Sequence, residues 1–161
     1  MSVDPTQFKE ALSRYATGVT VVTAVMPDGR LAGVTVSSFS SVSLRPPLVL
    51  FCLANTATCL KAFTEGDRCA VNILAENQRD LSVAFSTQSN DKFRGVSFER
   101  SAHGLPLLSG CLANIECVRE MIYEGGDHAI LVGRVERITL AENGAPLLYH
   151  RGAYRRATDP L

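Results

Sequence analysis

The chain has no excess of charge of either sign. Its 16 Lys and Arg balance 16 Asp and Glu, which removes the net basic footprint a nucleic-acid binder needs and leaves only a local basic patch open. Long apolar runs are also missing. The longest, Leu48 to Ala54, is the length of a strand, far below the ~18 apolar residues of a membrane helix. The amino terminus, MSVDPTQF, has no basic segment followed by an apolar stretch, so no secretory signal is expected. Cysteine is sparse and unpaired by spacing. The five, Cys52, Cys59, Cys69, Cys111 and Cys117, are odd in number and include no C-x-x-C, which reads as free, partly buried thiols in a reducing compartment. His103, His128 and His150 stand far apart, which argues against zinc. The expectation is a cytoplasmic protein with no membrane and no nucleic acid among its partners.

Nucleotide signatures are absent too. Among 12 glycines there is no G-x-G-x-x-G, no G-x-x-x-x-G-K-[ST] and no G-x-S-x-G. A Rossmann site, a P-loop and a nucleophile elbow are therefore unsupported. Any nucleotide chemistry has to rest on another fold.

What is present is mostly β. The 161 residues, 46% of them hydrophobic, suit one domain over 1–161 with a core that needs no staples. Asp4, Pro5 and Gln7 predict a helix start, and Phe8, Ala11, Leu12 and Tyr15 share one face before Gly18. Val19 to Met26 and Leu31 to Ser38 read as a hairpin about Pro27-Asp28-Gly29. Arg45-Pro46-Pro47 is expected to block pairing, and Leu48 to Ala54 to be a strand buried on both faces. Cys69 to Leu74, Ala129 to Leu140 and Leu147 to Tyr149 are further strands. Leu112 to Tyr123 fits helix or strand and is taken as strand. Short helices are expected over Thr58 to Glu65 and Asn77 to Phe85, with loop from Ser86 to Phe98. An antiparallel barrel with a few short covering helices fits best.

Four stretches carry candidate chemistry. Thr35 to Ser43 offers six hydroxyls at a strand exit, able to bond a polar heterocycle or simply their own backbone. Asn55-Thr56-Ala57-Thr58, before a helix, suits an anion or ordinary capping, with Lys92 a possible neutralising charge. Gly125-Gly126-Asp127-His128 is a polar turn whose histidine faces a ligand or satisfies the turn. Tyr149 to Arg156 mixes cations and aromatics that suit a dinucleotide or a solvated end.

The order of the blocks is more specific than any one of them. FKEALSRYATGVTVVT, TVSSFSSVSLRPPLVLFCL, CAVNIL, DKFRGV, GLPLL, GDHAILVGRV and PLLYHRGAYR follow one another from Phe8 to about Arg156. In this the chain resembles the flavin reductase-like family with the FMN-binding split-barrel fold. The resemblance implies an antiparallel split β-barrel and an NAD(P)H:flavin oxidoreductase. It implies FMN or FAD as flavin, NADH or NADPH as co-substrate, a homodimer, and a flavin-dependent monooxygenase as recipient of reduced flavin. It places Thr35, Val36, Ser37, Ser38 and Ser41 against the isoalloxazine. Cys52, Leu53, Ala54, Asn55, Thr56, Ala57 and Thr58 run along the ribityl and phosphate, and Phe85, Ser86, Lys92 and Phe93 close over them. His128, Tyr154 and Arg155 fall near the nicotinamide, with His128 positioning it. Ser37, Asn55 and Ala57 depart from the Asn, Lys and Ser often found in the family. A flavin carrier or sensor with the same barrel is the competing expectation, and the haem-binding and pyridoxamine phosphate-oxidising split barrels are a third.

Overall fold

The structure, a computed structural model, describes residues 3–89 and 91–157. The limits of the expected domain, and residue 90 of the expected loop, lie outside these. Helix α1 (Pro5–Ser13) leads into β1 (Thr17–Gly18), β2 (Thr20–Val25), β3 (Leu31–Val36), β4 (Ser40–Leu44) and β5 (Pro47–Ala54). Helix α2 (Leu60–Thr64), β6 (Arg68–Ile73) and helix α3 (Arg79–Ser86) follow, then the hairpin β7 (Phe98–Arg100) and β8 (Pro106–Leu108). Two long strands, β9 (Ala113–Gly125) and β10 (His128–Leu140), precede the short pair β11 (Leu147–His150) and β12 (Ala153–Arg156).

Seven strands form one antiparallel sheet in the order β3-β2-β6-β9-β10-β5-β4, and β11 sits between β1 and β12 in a small second sheet. The large sheet curls until β3 lies beside β5, but no ladder joins them. Instead the Ser38 hydroxyl spans the gap, accepting from the Cys52 N–H at 2.9 Å and donating to the Cys52 carbonyl at 3.3 Å. The architecture is mainly β with short helices, as expected, and the gap between β3 and β5 is where it splits.

Two apolar clusters flank the sheet. Inside the curl pack Val22, Phe51, Leu53, Phe63, Val71, Ile115 and Leu131. Outside it, under α3 and β11, pack Val19, Val21, Leu74, Phe85, Leu108 and Leu147. β2 passes between both clusters and all but its last residue are buried. β5 was expected to have that character and does not. Val49, Phe51 and Leu53 point inward and are buried, whereas Leu48, Leu50, Cys52 and Ala54 are half-exposed. No second layer covers its outer face, so the strand alternates.

Two other expectations are corrected. Arg45-Pro46-Pro47 does not end pairing: Ser43 pairs with Leu48 and Leu44 with Pro47, around a bulge between Ser41 and Ser43. Pro47 is the first residue of its strand, where its missing N–H does little harm. The amino-terminal helix starts as read, with Asp4 accepting from the Gln7 N–H at 3.0 Å, but it stops at Ser13, and Thr17–Gly18 pair with β11. None of its residues is buried, and Phe8, Leu12 and Tyr15 lie open. All five cysteines are free, four of them buried and Cys52 half-buried.

Asn72, fully buried in β6, joins the sheet to the β7–β8 hairpin. Its Nδ2 donates to the Val21 carbonyl at 2.9 Å and to Thr23 Oγ1 at 3.2 Å. Its Oδ1 accepts from the Leu108 N–H at 3.0 Å and from Asn114 Nδ2 at 2.7 Å. Replacing Asn72 by alanine leaves several buried polar groups without partners, each at about 1–3 kcal/mol. Asn72→Ala is therefore expected to lower the urea midpoint sharply at unchanged slope, and an unchanged midpoint would show the network to be dispensable.

Candidate functional site

The split between β3 and β5 opens into a groove of about 500 Å³. The end of β3 and the turn after it, Val34 to Ser38, form one wall, and Cys52, Leu53 and Ala54 form the floor. Ala57, Gly125, His128 and Ile130 complete it. Strand register explains the set. His128 is opposite Ala54, and Ile130 opposite Cys52, so the first two outward residues of β10 continue the outward face of β5. Small side chains on that face leave room for a flat body.

Its polar groups are only partly free. The Thr35 hydroxyl donates to the Ser82 carbonyl at 2.7 Å, and Ser38 is engaged with Cys52 across the split. Ser37 is exposed and lines the groove. Ser41 lies away from it, on edge strand β4 and exposed.

A smaller cavity of about 80 Å³ adjoins the groove, lined by Arg30, Gly33, Thr58, Cys59, Ser89, Lys92 and Phe93. Gly33 precedes Val34, and Thr58 follows Ala57, so the two spaces are lined by neighbouring residues of the same two segments. Lys92 Nζ donates to the Gly33 carbonyl at 3.1 Å and the Phe85 carbonyl at 2.9 Å. One hydrogen remains for another acceptor. Burial lowers the Lys92 pKa from its ordinary value, and burial raises the Cys59 thiol. Arg30 is paired with Asp28 at 2.8 Å.

A third space of about 470 Å³ lies beyond the β9–β10 turn, lined by Asn55, Ile122, Tyr123, Glu124, Gly126, His128 and Ala129. His128 borders both large spaces. Its Nδ1 is 2.7 Å from Asp127 Oδ1.

Several residues singled out from the sequence are not brought to the groove. Phe85 is fully buried, its ring edge-on to Phe93 at 5.0 Å. It fills the space Gly33 leaves: a Cβ there would stand 2.4 Å from the ring. Ser86 is exposed and donates to the Val83 carbonyl at 2.8 Å. Thr56 is exposed and borders none of the three spaces. Tyr154 and Arg155 belong to β12 of the small sheet. The Tyr154 hydroxyl is 2.9 Å from Ser82 Oγ, and the Arg79 guanidinium lies 5.7 Å over its ring. Tyr154 thus reaches the groove only through Ser82 and Thr35. Conversely, Val34 and Ile130 line the groove without having been singled out, and Gly125 lines it as part of the expected Gly125–His128 turn; Ile130, two residues after His128 on a strand, is available from periodicity alone.

The donor set fits a flavin phosphate ester. At about 500 Å³ the groove has room for a tricyclic ring, and the small cavity is lined by Thr58 and by Lys92, whose ammonium keeps one hydrogen for an anion.

Comparison with known proteins agrees. The model of the flavin reductase like domain matches residues 12–158. The reductase subunit HsaB of a flavin-dependent monooxygenase from Rhodococcus jostii is 39% identical over 153 residues, covering 95% of this chain and 78% of that protein. A flavin reductase from Pseudomonas putida is 37% identical, covering 95% and 90%. The solved structure of the Streptomyces globisporus NADH:FAD oxidoreductase SgcE6, with NAD and FAD fragments, superposes at a TM-score of 0.91. It is 35% identical and covers 98% of this chain and 97% of its own. This chain belongs to the flavin reductase-like family of oxidoreductases.

Proposed function

We propose that the chain works as an NAD(P)H:flavin reductase that passes reduced FMN or FAD to a partner monooxygenase, with the groove between β3, β5 and β10 as its flavin site. When bound, the flavin supplies an electrophilic ring that accepts hydride from a nicotinamide stacked on it. The chain's own residues hold and orient. Cys52 and Ala54 give a flat floor, Ser37 offers its hydroxyl to a polar ring edge, and Thr58 with Lys92 takes the phosphate. His128 lines the groove, with Asp127 hydrogen-bonded behind it; it positions the nicotinamide. Holding two rings in register supplies up to about 7–11 kcal/mol of barrier reduction, so no covalent catalyst is required.

The observation that carries this reading is the convergence of β3, the end of β5 and His128 on one space of about 500 Å³. The test is an anaerobic mixture of protein, flavin and NADH. Bleaching of the flavin absorbance at a rate proportional to protein is the expected result. A protein that binds flavin but leaves it oxidised is a carrier, and the reading fails.

We further propose a homodimer in the cytoplasm, each subunit one domain over 1–161. The chain exposes 10185 Å², against about 7,900 Å² for a compact monomer of this mass. The difference is of the size obligate dimers bury. Exposed Met121, Ile122 and Tyr123 on the β9–β10 hairpin, with Phe8 and Leu12 on α1 and Tyr15 just after it, supply apolar surface for a second copy. The uncrosslinked thiols support a reducing compartment. Sedimentation equilibrium is expected to give twice the 17.4 kDa chain mass, and Ile122→Glu to shift the population towards monomer. A monomeric wild type at micromolar concentration contradicts the dimer.

A further inference from the structure

The turn that carries His128 is held from outside its own hairpin. Asn55, the first residue after β5, donates its backbone N–H to the Asp127 carbonyl at 2.9 Å and its Nδ2–H to the Gly126 carbonyl at 3.1 Å. One residue thereby fixes both carbonyls of the turn. Gly126, at a φ of +72°, brings no side chain of its own to restrain that turn. Asp127 then reaches His128, with Oδ1 2.7 Å from Nδ1. That hydrogen bond holds the Asp127 carboxyl below its ordinary pKa. An ionised carboxylate only accepts, so the shared proton sits on the imidazole. A carboxylate at Nδ1 calls for the ring hydrogen there, and a neutral imidazole so held has Nε2 as its lone-pair acceptor.

We propose that Asn55 and Asp127 are positioning residues that act through His128, Asn55 by fixing the turn and Asp127 by fixing the tautomer and orientation of the imidazole that meets the nicotinamide. This rests on the reading of the groove given above. A nicotinamide carboxamide carries the N–H donors that an Nε2 acceptor complements. Asn55 also heads the segment whose Ala57 lines the groove and whose Thr58 lines the small cavity, so the same residue ties the loop facing the flavin to the turn facing the nicotinamide. The Asp127 side chain is 94% exposed, and its contribution lies in the geometry of one bond rather than in long-range charge.

The test compares wild type, Asn55→Ala, Asp127→Asn, His128→Ala and the two double variants with His128→Ala. NADH KM, kcat and flavin Kd are measured on each, and the tautomer of His128 is read from the imidazole nitrogen shifts. Asn55→Ala and Asp127→Asn are expected to raise NADH KM about 3- to 10-fold, the size of one hydrogen bond, with flavin Kd within about twofold. Neither adds anything once His128 is alanine, because residues acting through a shared group are not additive. Wild-type His128 shows the Nδ1–H tautomer, and Asp127→Asn lowers its fraction. Equal costs with and without His128, a shift in flavin Kd in place of NADH KM, or a wild-type imidazole protonated on Nε2 overturns the proposal. The tautomer measurement on the wild type stands even if Asn55→Ala does not fold. His128→Ala with unchanged NADH KM overturns the assignment of His128 itself, a separate failure visible in the same set.

Discussion

Phe85→Ala is expected to destabilise the protein by about 3–5 kcal/mol, the range for deleting a buried phenylalanine ring. Phe85 has no solvent exposure and packs with Val19, Val21, Leu74, Leu108 and Leu147 in the cluster outside the sheet. Its ring also occupies the place opposite Gly33, where a Cβ would come within 2.4 Å of it. Gly33→Ala alone is therefore an overpacking change of about 1–3 kcal/mol. Combined with Phe85→Leu, part of that cost is relieved, so the pair is expected to be less damaging than the sum of its members. Thermal melts read both effects at about 2–4 °C per kcal/mol for a chain of this size. A Phe85→Ala protein of wild-type stability that has lost flavin would instead place the ring at the cofactor.

Ala54→Trp is expected to weaken flavin binding about a hundredfold, equivalent to about 2.7 kcal/mol. Ala54 is on the outward face of β5, opposite His128, and lines the groove. An indole there occupies the space assigned to the ring. Because this face of β5 is not packed under a second layer, the substitution needs no rearrangement of the core, and the melting temperature is expected to change little. Leu48→Trp is the control. Leu48 lies on the same face but opposite Ser43 and Arg134, away from the groove, and its substitution leaves flavin affinity unchanged. Equal affinities for wild type and Ala54→Trp would move the flavin elsewhere.

The fold is most legible in the sequence where local chemistry and long-range structure agree. Asp4, Pro5 and Gln7 start a helix whatever surrounds them, and Pro27-Asp28-Gly29 turns a hairpin on its own. The ambiguous stretch from Leu112 to Tyr123 is strand because it lies between β6 and β10 and both of its edges are paired. What was not legible depends on how the sheet curls. Leu48 to Ala54 looks equally apolar on both faces, and only the gap beside β3 makes one of them a groove floor. Ser40 to Leu44 has the composition of a loop, yet the register of β5 draws it into an edge strand. Of the candidate residues that border the groove, Thr35, Cys52, Leu53, Ala54 and His128 are on strands, where period 2 fixes the direction of the side chain, and Ser37, Ser38 and Ala57 are on the segments that follow β3 and β5. The positions that leave it, Phe85 and Ser86, sit at the end of a short helix whose rotation the sequence does not determine. Tyr154 is displaced for a similar reason, since the pairing of β11 with β12 turns its hydroxyl towards Ser82.

The most direct test of where the ring lies uses the thiols. Cys52 is half-buried on the groove floor, while Cys59, Cys69, Cys111 and Cys117 are buried, so a small alkylating reagent should react first at Cys52. Labelling at each cysteine is followed by peptide mass spectrometry with and without saturating flavin. A flavin seated between β3 and β5 covers the Cys52 sulfur, and its labelling rate is expected to fall at least about tenfold, as a ligand that buries most of its own surface shields the groove floor. An undiminished rate at Cys52 under saturating flavin would contradict the assignment.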